Sequence, residues 1–148
     1  MPKIKKVPIK SNKYLKAEKY LLYYMLKSKE VIRMYDNKIT YMPTEKYRKL
    51  AYEISFFYNK NNYIQSVDLI TSLKDETEVI STIGEIEMMD LKENYSIEQI
   101  NDYIKVIREY NVNEAIKKLN QKMKDEKNPL KKAEIVMEIQ RIKKGEDV

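Results

Sequence analysis

The sequence predicts an all-α fold: a helical bundle subdomain followed by a C-terminal helical hairpin, joined by one long helix. Three observations lead there. Two glycines, Gly84 and Gly145, and four prolines punctuate 148 residues, too few turn-formers for a sandwich or barrel. Apolar residues recur at helical spacing through most of the chain. Between Ser96 and Asn128 there is neither Gly nor Pro. At this length the chain is one domain, or one plus a small appendage, and long enough to bury a core.

Residues 1–12 mix Lys with Pro2 and Pro8, show no period, and read as a flexible basic linker cut from something longer. No apolar stretch follows directly, so this start is not a secretory signal. The first helix is expected from about Tyr14 to Ser28. Its apolar run Tyr20–Leu26 is seven residues, against about 20 for a membrane-spanning helix. At roughly 100° per residue, Leu21, Leu22, Met25 and Leu26 cover one face, which Tyr20, Tyr23 and Tyr24 widen. A helix apolar nearly all round belongs at the centre of a bundle.

"KEVIRMYDNK" makes a short second helix, with Val31, Ile32 and Tyr35 on its apolar side. "NKITYMP" connects it to the third, and Pro43 suits that helix's first turn. Along the third helix Tyr47, Leu50, Ala51, Ile54, Phe57 and Tyr58 keep the i, i+3, i+4 rhythm until "NKNN" ends it. "SVDLITSL" is a short fourth helix. Asp75 with Glu78 resembles an acidic capping box for a fifth, carried by Val79, Ile80, Ile83 and Ile86. Gly84 within it suggests a close helix crossing, since mid-helix glycine costs about 1 kcal/mol against Ala.

Ser96 and Gln99 form an S-x-x-Q capping box that opens the longest helix. Its stripe of Ile97, Ile100, Ile104 and Ile107 should next reach position 111, which is Asn111. The stripe restarts one step later at Val112, Ile116, Leu119 and Met123. A one-residue shift turns the apolar face by about 100°, so the two halves should pack against different things. The boundary is therefore placed there: bundle 13–110, hairpin 111–148. "KDEKNP" breaks the helix, with Asn128 as N-cap and Pro129 at the first position of the last helix.

Charge and chemistry narrow the function. The net charge of +6 divides unevenly: residues 1–30 hold nine Lys against two Glu, residues 31–116 ten cations against fifteen acids, and residues 117–148 ten against six. Clustered lysine is one footprint of nucleic-acid binding; codon usage in an AT-rich genome enriches Lys, Ile, Asn and Tyr with no such meaning. Tyr interleaved with Lys in "NKYLKAEKYLLYY" offers base stacking as one reading and core packing as the other. There is no His and no Cys, which removes the usual general base, thiolate metal sites and disulfides, and suits a reducing cytoplasm. No glycine-rich loop cradles a phosphate. The carboxylate pairs Glu85 with Glu87 and Asp75 with Glu76 are not spaced to share a helix face and read as solvated charges. A binding module without a catalytic constellation is expected.

"KAEKYLLYYML" resembles the first-helix signature of the C-terminal helicase-binding domain of bacterial DNA primase, an A-E-x-x-L-L-x-x-M-L pattern after a basic linker. Ala17, Glu18, Leu21, Leu22, Met25 and Leu26 match it. "YRKLAYEISFFYNK" resembles that family's third helix, and "DYIKVIREYNV" with "IVMEIQRIKKG" its long helix and closing hairpin, so the likeness covers roughly residues 13–144. The resemblance implies a bundle plus hairpin that docks primase onto the N-terminal collar of the hexameric replicative helicase in the bacterial cytoplasm, each modulating the other. It implies no cofactor in this chain. The nucleotidyltransferase site of the parent DNA-directed RNA polymerase, with its zinc and magnesium, would lie in upstream domains. The helicase's own N-terminal domain is a related alternative, although glycine is usual there where this chain has Tyr23; a basic module that binds single-stranded nucleic acid is a third.

On the last helix, Leu130, Ala133 and Met137 lie within about 60° of one another, and Arg141 and Lys144 continue that face. Ile135, Ile139 and Ile142 lie nearly opposite, with Val136 at their margin. A terminal hairpin has one neighbouring helix. The β-branched set is expected to pack, leaving Leu130, Ala133, Met137, Arg141 and Lys144 as the face for the helicase.

Overall fold

The computed structural model describes residues 12–39 and 41–145, and the regular structure among them is all helical, without a strand. In order these are α1 (Asn12–Met25), α2 (Lys29–Lys38), α3 (Glu45–Asn61), α4 (Ser66–Leu73), α5 (Thr77–Glu87), α6 (Ile97–Asp125) and α7 (Pro129–Lys143). The linker expected over 1–12 falls outside the described residues except for Asn12, which opens α1. Two compact units part between Ile107 and Arg108, within α6 and a few residues ahead of the 110/111 boundary that periodicity suggests.

The first unit is built round α1, which lies against α2, α3 and α5. Its run Leu21–Leu26 is buried without exception. Two buried tyrosines in that run find partners for their hydroxyls, as burial demands. Tyr23 donates to the Leu91 carbonyl at 3.1 Å and Tyr24 to the Lys92 carbonyl at 2.7 Å, so the segment after α5 is tied back to α1. These two rings are core, which removes them from any base-stacking role. Ser28 does not end α1. It caps α2, its hydroxyl accepting from the Val31 N–H at 3.4 Å, and α1 stops at Met25.

All six residues of the α3 stripe, Tyr47, Leu50, Ala51, Ile54, Phe57 and Tyr58, are buried. Asn62 ends the helix in the left-handed region at φ 68°, a conformation Asn tolerates better than most residues. The start of α3 differs from expectation. Thr44 is the N-cap and Pro43 precedes it, outside the first turn. The cause is Glu18, fully buried in α1, whose carboxylate accepts the Thr44 N–H at 2.8 Å and the Thr44 hydroxyl at 2.7 Å. A carboxylate is favoured at the positive end of a helix dipole. Arg48 completes the corner by donating to the carbonyls of Met42 and Pro43, at 3.0 and 3.1 Å.

In α5 the expected Asp75–Glu78 box does not form. The helix starts at Thr77, so Glu76 is the N-cap and Glu78 stands one position too early to reach back. Glu78 faces Lys49 instead, at 3.3 Å. Nor is there a close crossing at Gly84: a Cβ built there meets nothing within 4 Å, and the residue is exposed. Gly84→Ala is therefore expected to stabilise the chain by about 0.5–1 kcal/mol through helix propensity alone. A rise in denaturant midpoint at unchanged slope is the measurement that checks it.

The capping box at the start of α6 is present in both directions: Ser96 Oγ accepts from Gln99 N–H at 3.0 Å, and Gln99 Oε1 accepts from Ser96 N–H at 3.4 Å. The helix runs 29 residues without a break at Asn111, so the shift of the apolar stripe is a rotation along a continuous helix. Ile100, Ile104 and Ile107 belong to the core of the first unit, whereas Ile97, at the first helical position, is exposed. Val112, Ile116, Leu119 and Met123, on the second unit's share of α6, are half-buried.

Candidate docking face

The second unit holds the rest of α6, the connection Glu126–Lys127–Asn128, and α7. Asn128 caps α7: its side-chain oxygen accepts from Leu130 N–H at 2.9 Å, and Pro129 occupies the first turn, where no N–H is missed. The Glu126 carboxylate accepts from the Asn128 N–H at 3.0 Å, within the connection that joins α6 to α7. At the other end Gly145, at φ 82°, donates to the Ile142 carbonyl at 2.9 Å and closes the last turn.

Between these caps α7 presents two unlike faces. Ile139 and Ile142 retain 8% and 6% of their surface, and Ile135 is half-buried. Leu130 and Met137 expose 75% and 69%. Ala133, Arg141 and Lys144 are exposed beside them, so the five residues form one accessible surface. One electrostatic feature departs from the expectation for this face, which names only the cations Arg141 and Lys144. Glu138 pairs with Arg141, and Glu134, about 40° round from Leu130, sits within the same face. The apolar patch is thus rimmed by both signs of charge.

A second exposed apolar surface, in the first unit, was not anticipated. Tyr52 and Phe56 stand off the buried stripe of α3, 63% and 53% exposed, with rings stacked at 6.1 Å. Periodicity marks them as outside the core; their aromatic i, i+4 repeat was the available signal. A groove of about 480 Å³ lined by Tyr41, Arg48, Tyr52 and Asn59 flanks one side of this ridge, and a pocket of about 140 Å³ lined by Glu53, Phe56, Lys60 and Leu73 the other.

Glu85, Glu87 and Tyr47 are engaged in structural pairs. Glu85 takes Lys46 at 2.8 Å and the Tyr47 hydroxyl, and Glu87 takes Lys27 at 2.7 Å, so the two carboxylates read as solvated each have a separate lysine. Desolvation raises the Tyr47 hydroxyl above its ordinary range, and the Glu85 hydrogen bond raises it further. Desolvation does the same to Tyr35, helped by the neighbouring Asp36 charge. Neither is a base near neutral pH. Among the described residues no cluster of three or more His, Cys, Asp or Glu is placed to hold a metal ion, and no helix is long and apolar enough to cross a membrane. Neither a protein-family model nor a curated protein matches the chain.

Proposed function

We propose that this chain is the helicase-binding module of a bacterial DNA primase, acting in the cytoplasm during DNA replication and joining primase to the N-terminal collar of the hexameric replicative helicase. The observation that carries the reading is the accessible α7 face of Leu130, Ala133, Met137, Arg141 and Lys144, on a helix whose opposite residues Ile139 and Ile142 are buried. The order of the A-E, third-helix and closing-helix motifs along the chain supports the same partner. A helix face with apolar anchors and charged margins suits docking by side-chain packing, with the charges setting register and encounter rate. In this reading the chain performs no chemistry, and its contribution is to hold the polymerase at the helicase, where the single-stranded template emerges.

Titration of the fluorescently labelled chain with the helicase collar, and separately with single-stranded DNA across a salt series, tests this. Saturable collar binding is expected, with far weaker, salt-steep binding to DNA. Tight DNA binding without collar binding would instead make this a basic nucleic-acid module.

A further inference from the structure

The exposed ridge of α3 carries a pattern that matches itself when reversed. About 100° per residue places Tyr52, Phe56, Glu53 and Lys60 within one outward arc, with Glu53 and Lys60 on the same side of Phe56. They are seven residues apart, about 10 Å along the axis, and both line the small pocket beside Phe56. Among the described residues neither forms an ion pair, although Glu53 is half-buried. Desolvation and the neighbouring Glu76 raise the Glu53 carboxyl above its ordinary range, as expected of a carboxylate without a cation.

An antiparallel helix laid along this ridge needs an ammonium opposite Glu53 and a carboxylate seven positions away opposite Lys60. A second α3 supplies both. With a two-fold axis perpendicular to the helices at the level of Phe56, the axial order inverts while the lateral side is kept. Glu53 of each copy then meets Lys60 of the other, and the two Phe56 rings lie side by side at the dyad. Such an isologous contact is self-complementary by construction. We propose that two copies of this chain associate through α3 in this way, independently of the α7 face. Tyr52 and Phe56 together offer on the order of 200 Å² of exposed aromatic surface, against about 800 Å² per partner in a standard interface. The dimer is therefore weak and reversible, populated at high local concentration such as clustering on a multivalent partner provides.

Sedimentation equilibrium of the full chain over a wide concentration range tests the proposal, with circular dichroism as the control for folding. The expected result is a monomer–dimer equilibrium that Phe56→Ser weakens at least about tenfold. Glu53→Lys and Lys60→Glu, each setting like charges face to face, should each weaken it as well. The double variant Glu53→Lys/Lys60→Glu should restore it to near the original value. A chain monomeric at every concentration leaves the ridge to an unlike partner and overturns the proposal. So does a dimer indifferent to Phe56→Ser, or one that the double charge swap fails to restore.

Discussion

Glu18→Ala is expected to destabilise the chain by about 3 kcal/mol. The carboxylate is fully buried and accepts two hydrogen bonds from Thr44, one from the backbone and one from the hydroxyl. Hydrogen bonds to a charged acceptor contribute about 1.5–3 kcal/mol each, and a donor left buried without an acceptor bears its whole desolvation cost. The lost side chain also leaves a void beside a packed helix. Relief from burying a charge offsets part of this, which keeps the net near 3 rather than 5 kcal/mol. Glu18→Gln retains one acceptor and the volume, so about 1–2 kcal/mol is expected. Denaturant midpoints give the totals. Hydrogen exchange should place the loss at the first turn of α3, where Thr44 loses its anchor. If both variants melt like the parent, the cap is not what holds the α2–α3 corner.

The second large effect lies in α7. Ile139→Asp places a carboxylate where 8% of the surface remains, and an uncompensated buried charge costs several kcal/mol. The expected loss is about 3 kcal/mol or more, confined to the second unit. Met137→Asp, at a site 69% exposed, should stay within about 0.5 kcal/mol of the parent. With two compact units a single melting temperature averages over both, so exchange of the α7 amides is the sharper measure. Fast exchange throughout α7 for Ile139→Asp, and parent-like exchange for Met137→Asp, are the expected outcomes.

What was legible in the sequence was local. Ser96 with Gln99, and Asn128 with Pro129, announce helix starts because each cap is closed by residues two or three apart. The stripe of α3 reads directly from helical spacing, and all six of its members are buried. The misreadings arise where a distant partner decides. Glu18 meets Thr44 across 26 residues and shifts the start of α3 past Pro43, which no spacing rule encodes. Asp75 and Glu78 have the spacing of a box, but α5 begins one residue too late to use it. Gly84 suggested a crossing that is open space, because composition cannot say which side of a helix is vacant. For the candidate face, helical angles separate Leu130 and Met137 from Ile139 and Ile142. The face as read from the sequence names Arg141 and Lys144 and leaves out Glu138, which pairs with Arg141. The ridge of Tyr52 and Phe56 falls outside the α3 stripe by spacing, but spacing does not say that two exposed rings stack into one surface.

The proposed docking role of α7 is tested most directly by the affinity of the Met137→Asp chain for the N-terminal collar of the replicative helicase, measured calorimetrically beside the parent. Removing a central apolar anchor and placing a charge in its contact should weaken binding by at least about tenfold while the fold is kept. An unchanged affinity in a variant with parent-like α7 exchange would contradict the account and remove this face from the interface.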